Sequence, residues 1–314
     1  MKNQFIAQME AMFGGDLPAV VSDSGSAACW AEELGLAHVP MGAAFKDPPA
    51  SAIIVCTSDS WYARVSELRD VFDRSRALWL PLVAFDGGDA AVRYGLDQLA
   101  RTDFGAIPDS HDLAINLLAG SARSVITDAR GTDLTVSFGG QIGFATITGV
   151  EVPSGDFTSL LSFFEVEAEF PDASDRPPVT INGVLRPNGI LAAHGPYGLI
   201  ADDPRLEAGR ILPTSWEARP VVEIVDSSIT KIEAGGVDLA DTFQWLAGHE
   251  CGLRLTEFAV GVNDLAAETI RWDINSPLNE GVQGIHVGIG DGRTGIHIDF
   301  VCAGVSLAHE NSKM

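Results

Sequence analysis

The chain is poor in cysteine, in basic residues and in long apolar runs. Its four cysteines are widely separated along the sequence: Cys29, Cys56, Cys251 and Cys302. They form no C-x-x-C pair and have no regular spacing, so the sequence indicates neither a disulfide framework nor a cysteine zinc site, and we expect buried, reduced thiols. The longest strongly apolar stretch, Leu78 to Phe85, is far shorter than the roughly 18 to 20 residues that a membrane span requires.

Basic residues are outnumbered, with 20 Lys and Arg against 43 Asp and Glu and a formal net charge of -23. Such a field repels a phosphate backbone, so we expect no nucleic-acid partner. It attracts metal ions or the ammonium end of a peptide, although solubility alone also explains it. Near the N-terminus, Phe5, Met9 and Met12 recur at helical spacing. That pattern predicts a helix rather than a signal peptide, and therefore a soluble, cytoplasmic protein.

The pattern of apolar residues changes along the chain. Up to residue 123, short apolar runs such as Ala19 to Val21 and Ala52 to Cys56 alternate with amphipathic segments such as Ala90 to Leu99. This rhythm predicts an α/β domain with a mostly parallel sheet over residues 1–123. Residues 124–314 contain short β-branched and aromatic runs broken by Gly, Pro, Asn and Asp, with a helical pattern near Ala240 to Ala247. They predict a strand-rich α+β domain.

Two alternating runs near the C-terminus flank a turn rich in Gly and Asp and predict a β-hairpin over residues 286–299. With a four-residue loop, His286 opposes Asp299 and Gly288 opposes His297. Because side chains alternate with period two, both histidines and Asp299 then share one face. Two imidazoles and a carboxylate suit zinc, manganese, cobalt or iron, and Gly288 leaves room for an ion. The alternative is an edge hairpin whose polar face points at water.

Two further patterns have weaker functional signals. The segment from Phe164 to Phe170 alternates strictly and puts Glu165, Glu167 and Glu169 on one face of a strand. We interpret it as a solvent-facing edge strand, with an acidic lip for a cationic ligand as the alternative. His194 lies in a turn-like segment; we interpret it as structural, with a position in the lining of a cleft as the alternative.

Four sequence blocks resemble the aminopeptidase T and S family of metallopeptidases. They are Gly131–Leu134, which matches a GTDL element, Val152–Phe157, which is similar to a P-x-G-E-V segment, Leu255–Phe258, which is similar to an L-G-E segment, and the closing histidines. The resemblance implies a homodimer with a site for one or two divalent ions, zinc, cobalt or manganese before iron. It implies the metal ligands Asp156, Glu257, His286, His297 and Asp299, with Glu257 bridging the ions and acting in catalysis.

Two departures from the family pattern shape the functional hypothesis. Asp156 stands where the family has Glu, and only ten residues, none of them tyrosine, separate His286 from His297. The family has a longer loop with a tyrosine there. These features favour a peptide-binding protein on a metal-dependent aminopeptidase-like scaffold, with weak or specialised hydrolysis and a peptide or small amide as its ligand. The alternatives are an active aminopeptidase and a non-hydrolytic partner in peptide natural-product biosynthesis. A similarity to iron-dependent dihydroxypyridine ring-cleaving dioxygenases ranks last, because Glu257 stands where they carry a histidine.

Overall fold

The computed structural model describes most of the chain. The described residues are 2–119, 123–139, 144–145, 147, 149–168, 179–196, 202–215, 218–248, 252–265 and 267–309. No helix in this part of the chain combines the length and apolar character needed to cross a membrane.

The described residues form short helices and mostly short strands. The helices are α1 (Lys2–Met12), α2 (Gly25–Leu34), α3 (Met41–Ala44), α4 (Asp59–Tyr62), α5 (Val65–Val71), α6 (Asp89–Leu99), α7 (Ile107–Ala119), α8 (Asp202–Ser215), α9 (Ala240–Ala247) and α10 (Pro277–Glu280). The strands are β1 (Ala19–Val21), β2 (His38–Val39), β3 (Ser51–Val55), β4 (Arg76–Leu80), β5 (Arg123–Thr127), β6 (Asp133–Phe138), β7 (Phe144–Ala145), β8 (Asp156–Ser159), β9 (Glu165–Ala168), β10 (Val179–Leu185), β11 (Gly189–Ala193), β12 (Val221–Val225), β13 (Ser228–Ala234), β14 (Val237–Asp238), β15 (Leu255–Gly261), β16 (Gly284–Ile289), β17 (His297–Ala303) and β18 (Ser306–His309).

The first half builds a parallel sheet, as its sequence pattern predicts. Its five strands lie in the order β2-β1-β3-β4-β8 and every pairing is parallel. Local signals fix the helices between them: the Ser24 hydroxyl accepts a hydrogen bond from the Ala27 N–H at the start of α2, and Gly35 ends this helix at φ 76°. Strand β8 joins this sheet although it lies beyond residue 124. The predicted domain boundary at residues 123 and 124 stays a prediction.

The second half is rich in strands, as expected, and contains two antiparallel sheets. One has seven strands in the order β14-β13-β12-β10-β6-β5-β18, and the other has six in the order β11-β17-β16-β15-β9-β7. Helix α9 occupies the predicted residues. The largest cluster of buried apolar side chains includes Val20 from the parallel sheet, Ile126 from the seven-stranded sheet and Phe258 from the six-stranded sheet. The three sheets therefore share one core, and the fold is mixed α/β.

The described cysteines are free thiols. Cys56 and Cys302 are buried, and burial raises the pKa of each thiol to about 12. Cys29 is exposed, so the expectation of a buried thiol is wrong there: its position on α2 faces away from the sheet. Cys251 lies outside the described residues.

Candidate metal centre

One face of the six-stranded sheet collects charged side chains from four neighbouring strands. Antiparallel pairing sets Glu257 opposite Gly288, and Gly288 opposite Asp299. On the outer side of β15, Glu165 pairs with Gly261. Because directly paired residues project to the same side of a sheet, these positions all share one face, and so do positions two residues along each strand. The other face carries the apolar core.

A β-bulge determines that Glu257 reaches this face. Leu255 pairs with Ile289, whereas Glu257 pairs with Gly288, so the register shifts by one residue at Thr256. The Thr256 hydroxyl donates a hydrogen bond of 2.8 Å to the Gly290 carbonyl and anchors the bulge. With strict alternation, Glu257 would follow Leu255 into the apolar core. The extra residue turns the carboxylate to the opposite face, a common use of bulges beside functional sites.

The predicted hairpin exists, but its register differs from the expected one by two residues. His286 pairs with Val301 rather than with Asp299, and Gly288 pairs with Asp299 rather than with His297. The assumed four-residue loop was too short, because strand pairing ends at Ile289 and Ile298. A slip of two residues keeps every side chain on its face. The prediction that His286, His297 and Asp299 share a face is therefore confirmed.

Glu257 joins the two histidines. Its Oε1 lies 2.9 Å from His286 Nε2, and its Oε2 lies 2.9 Å from His297 Nε2. His297 Nε2 is also 2.9 Å from Asp299 Oδ1. The other ring nitrogen, Nδ1, is 3.0 Å from the Gly290 carbonyl, which can accept its proton. That contact favours a proton on Nδ1, which leaves Nε2, on the side of the carboxylates, available to bind a metal ion.

Two further carboxylates complete the cluster, and sequence reasoning missed both as ligands. Glu165 Oε2 lies 3.5 Å and Glu280 Oε1 lies 3.7 Å from His286 Nε2. The interpretation of the strand that begins at Glu165 as a solvent-facing edge is wrong, because β9 lies between β15 and β7 and Glu165 is only 9% exposed. Its alternating glutamates were the available signal. Glu280 ends the short helix α10, where no local pattern marks a ligand.

The donors form two overlapping groups that fit divalent metal ions. One group consists of Glu165, Glu257, Glu280 and His286. The other consists of Glu257, Glu280, His297 and Asp299, and within each group the candidate ligand atoms lie within 4.8 Å of one another. Glu257 and Glu280 belong to both groups. Shared carboxylates are typical of sites that hold two ions about 3.5 to 4 Å apart.

The buried polar atoms support the same assignment. Within the described part of the chain, Glu280 Oε2 and His286 Nδ1 are buried without a hydrogen-bond partner. Asp299 and His286 are fully buried, and Glu257 and Glu280 are 9% and 5% exposed. Burying several carboxylates together costs several kcal/mol each unless cations or protons compensate them. A cluster with four carboxylates and two imidazoles therefore suits cations that prefer oxygen and nitrogen ligands.

The electrostatics describe how the cluster compensates its charge through protons. Burial acts to raise the pKa of Glu257, but hydrogen bonds from His286 and His297 outweigh it and hold the pKa well below its usual range. Burial acts to lower the pKa of His286, but the hydrogen bond and charge of Glu257 raise it to about 9. The pKa of His297 is likewise raised, against burial, by Asp299 and Glu257. In the metal-free cluster, both shifts therefore favour the protonated form of the rings.

The outer carboxylates differ from Glu257, because their pKa values are raised and the protonated, neutral form is favoured. Burial, with the charge of Glu280, raises the pKa of Glu165, and burial with the charge of Asp299 raises that of Glu280. Half-buried Glu167, two residues along β9, has its pKa raised to about 7 by burial and by Glu257. Protons and imidazolium charges occupy the role that divalent ions fill in metal centres, and ion binding would displace them.

Gly288 supplies the space at the middle of the cluster. A Cβ atom at this position would lie 2.7 Å from His297 Cε1, 2.9 Å from Asp299 Oδ1 and 3.0 Å from the Glu257 Cβ. Such distances are shorter than van der Waals contact, so no larger residue fits without displacing a ligand. The sequence-based expectation that Gly288 leaves room at the site agrees with this geometry.

Asp156, the fifth ligand suggested by the family resemblance, lies elsewhere. It begins β8 on the parallel sheet, pairs with Arg76 and is exposed. Among the described residues it belongs to neither ligand group. The structure therefore brings Glu257, His286, His297 and Asp299 together, adds Glu165 and Glu280, and leaves Asp156 outside.

Comparison with known proteins gives a family and a fold. A family model described as crocagin biosynthetic protein CgnE/B matches residues 15–310. Comparison with the curated proteins gives no match.

Two solved structures resemble the whole chain. One is 2,5-dihydroxypyridine dioxygenase from Pseudomonas putida KT2440, with a TM-score of 0.52 and 14% identity, covering 99% of this chain and 95% of that one. The other is wild-type AmpT from Thermus thermophilus, with a TM-score of 0.51 and 12% identity, covering 98% and 94%. At these identities the matches show a shared fold alone.

Proposed function

The chain belongs to the crocagin biosynthetic protein CgnE/B family, and from that premise we propose that it binds a peptide at a divalent-metal centre during natural-product biosynthesis, with weak or specialised hydrolysis. The family supports the biosynthetic role, and the fold shared with AmpT supports the aminopeptidase-like scaffold. A homodimer is part of the proposal.

The observation that carries the proposal is the pair of overlapping ligand groups that share Glu257 and Glu280. Asp and Glu side chains are rarely buried unless a partner compensates their charge. Here each histidine contacts a different oxygen of Glu257 at 2.9 Å. That arrangement supports Glu257 as the bridging ligand, in agreement with the family resemblance.

Divalent ions at such a centre supply Lewis-acid polarisation of a carbonyl and lower the pKa of water. In the proposal, Glu257 and Glu280 are ligands in both groups. The group that contains the fully buried ring of His286 forms the inner half of the centre, and the group that contains His297 forms the outer half. The side chain of His297 is 18% exposed, while that of Asp299 is fully buried. The half that contains His297 is thus the one that a substrate carbonyl can approach.

The loop between the histidines supports weak or specialised turnover. It contains Asp291, whose carboxylate accepts hydrogen bonds from the backbone N–H groups of Arg293 and Thr294, both at 2.8 Å. Partial burial acts to raise the pKa of Asp291, but these hydrogen bonds outweigh it and hold the pKa below its usual range. The carboxylate closes its own turn, and the loop offers no tyrosine to a substrate.

Ordinary aminopeptidase activity is the second candidate, since six donors can hold two ions without Asp156. Iron-dependent ring cleavage has a fold match as support. Mononuclear iron oxygenases typically use two histidines and one carboxylate. The four carboxylates found beside His286 and His297 favour a hydrolase-type centre instead.

The test combines elemental analysis with peptide assays on one purified sample. The proposal predicts bound divalent metal, measurable peptide binding, and slow release of leucine from simple leucyl substrates even with added zinc, cobalt or manganese. Rapid release that His297→Ala abolishes would establish the ordinary aminopeptidase. Protein that binds neither metal nor peptide would refute the proposal. Glu67→Ala, an exposed acid paired with Arg64, is the matched control.

A further inference from the structure

A cleft of about 660 Å³ lies at the β11 edge of the six-stranded sheet, and none of the six clustered ligands lines it. Its walls come from α8, from β11, from the segment after β4 and from residues 272–275. The volume is within the range of about 300 to 1,000 Å³ that is usual for ligand pockets. The carboxyl ends of β3 and β4 contribute the loops on one side, and ligands of α/β sheets bind at such ends.

Backbone pairing connects this cleft to the metal ligands. Ala193 lines the cleft and pairs with His297 across the β11–β17 ladder. Ile296, the residue before His297, lines it as well. The cleft wall therefore contains the pairing partner and the chain neighbour of His297, the most exposed ligand of the cluster. His194, for which a cleft-lining position was an alternative, also lies in the wall.

The cleft has an apolar wall that is open to a ligand. Phe85, Ile190, Leu206 and Trp272 contribute to it. Leu206 projects from α8 and is 73% exposed. Burying an exposed leucine against a ligand contributes up to about 2 kcal/mol, so this side chain favours an apolar partner.

The floor of the cleft is a sheet edge whose backbone groups are mostly bonded by other atoms of this chain. Strand β11 is at the end of the six-stranded sheet. The Asn275 carboxamide bonds both backbone groups of Ala192 on this edge, accepting from its N–H at 3.0 Å and donating to its carbonyl at 2.7 Å. Ile190, two residues earlier, presents its backbone groups in the same direction. The His194 N–H, just past the end of β11, donates to the Ala84 carbonyl at 3.0 Å, so the Ile190 backbone is the position on this edge at which a ligand amide can bind.

The charges favour a cationic group on that partner. Three carboxylates line the cleft, those of Asp59, Asp86 and Asp273, against one guanidinium, that of Arg205. Arg205 is already engaged, with its Nη2 3.2 Å from Asp59 Oδ1 and 2.8 Å from His194 Nε2. Asp273 is paired with Arg271, whose Nη2 lies 2.5 Å from Asp273 Oδ2. Exposed Asp86 therefore carries the negative charge that remains among these lining residues.

We propose that this cleft binds the extended peptide segment next to the residue held at the metal centre, and that it selects apolar side chains interspersed with basic ones. The inference rests on the proposed function and adds a substrate class to it. One amide pairs with the backbone of Ile190, apolar side chains cover Leu206 and Trp272, and a basic side chain approaches Asp86.

The test is a binding titration by fluorescence anisotropy with metal-loaded protein. The probe is a labelled hexapeptide of alternating leucine and lysine with a free amino end, and a second hexapeptide has glutamate in place of lysine. Leu206→Ala tests the apolar wall, with Leu113→Ala, another exposed helical leucine at 60%, as control. Asp86→Asn tests the charge. Its control is Asp103→Asn, because Asp86 and Asp103 each accept an N–H two residues on.

We expect the lysine peptide to bind and the glutamate peptide to bind at least tenfold more weakly. Leu206→Ala should weaken binding roughly tenfold. Asp86→Asn should weaken it about threefold at low salt and not at 1 M salt, where the Debye length is about 3 Å. Metal content should stay unchanged in both variants. Binding that responds to Leu206→Ala and Asp86→Asn no more than to the controls overturns the cleft assignment and leaves the metal-centred function standing. Metal-loaded protein that binds neither peptide refutes both.

Discussion

The parallel sheet and the six-stranded antiparallel sheet use acidic residues in different ways. Around the parallel sheet, acids are exposed and paired with arginine, as in Arg64–Glu67 at 2.8 Å and Arg93–Glu33 at 2.7 Å. On the antiparallel sheet, Glu257 is buried and its partners are histidines. Exposed pairs contribute between about zero and 1 kcal/mol, whereas buried carboxylates need a compensating charge. The location of a few acids, more than the net charge of -23, therefore indicates the function.

The largest effect should come from removing the shared charge of the buried cluster. Glu257→Gln keeps the size of the side chain but replaces one oxygen that both ligand groups use. We expect metal affinity to fall more than a hundredfold, since a lost ligand affects binding more than a lost outer-shell partner, which costs 10- to 100-fold. Elemental analysis after dialysis checks this. Glu67→Gln on the parallel-sheet side should retain full metal content, and equal losses in both variants would contradict the comparison.

The second effect concerns the stability of the protein after chelation. The pKa of His286 is about 9 in the folded protein and about 6.5 in an unfolded chain. Its imidazolium therefore stabilises the fold fully below pH 6.5, and about 3 kcal/mol is lost as pH rises through 9. The raised pKa values of Glu165 and Glu280 act in the same direction, because the folded protein holds those protons longer.

Urea titrations between pH 6.5 and 9 measure this loss. With metal bound, the trend should reverse, because ion binding requires neutral imidazoles and becomes stronger as pH rises. The surface pairs of the parallel sheet titrate outside this range and contribute little to it. Metal-free protein whose unfolding free energy stays constant over this range would show that the buried histidines are not charged.

How far the sequence anticipates the molecule depends on the range of the interaction. Strand β1 and helix α9 follow from local apolar patterns and occupy the predicted residues. The shared face of His286 and Asp299 also follows from local alternation, which survives the two-residue error in register. Alternation gives the face of Glu165 but cannot reveal which elements cover it.

Other features depend on long-range placement. Glu280 enters the cluster from a four-residue helix, and only the tertiary fold brings it to His286. Asp156 matched a family segment, but its strand joins the parallel sheet through Arg76. The bulge at Thr256 likewise has no clear local signature, and without it Glu257 would face the core.

A third, smaller effect should come from filling the space between the ligands. Gly288→Ala adds a Cβ that would lie 2.7 Å from His297 Cε1. We expect a roughly tenfold loss of metal affinity, with unfolding free energy lowered by about 1 to 3 kcal/mol, the usual range for overpacking. Gly42→Ala, where a Cβ would meet no atom within 4 Å, is the control on the parallel-sheet side. Unchanged affinity in Gly288→Ala would mean that ions bind away from this face.

The smallest effect should follow Asp156→Asn, which separates the family motif from the structure. Asp156 is exposed at the start of β8 and pairs with Arg76 in a sheet that contains none of the clustered ligands. Substitutions at exposed positions usually change unfolding free energy by no more than about 0.5 kcal/mol, and we expect no more here. Metal content, measured on the same preparation as Glu257→Gln, should equal that of the wild type. A clear loss of metal from Asp156→Asn would place this carboxylate in the centre after all and would require β8 to leave the parallel sheet when ions bind. Retained metal in Asp156→Asn, together with its loss in Glu257→Gln, would assign the ligand role to the buried acids of the antiparallel sheet.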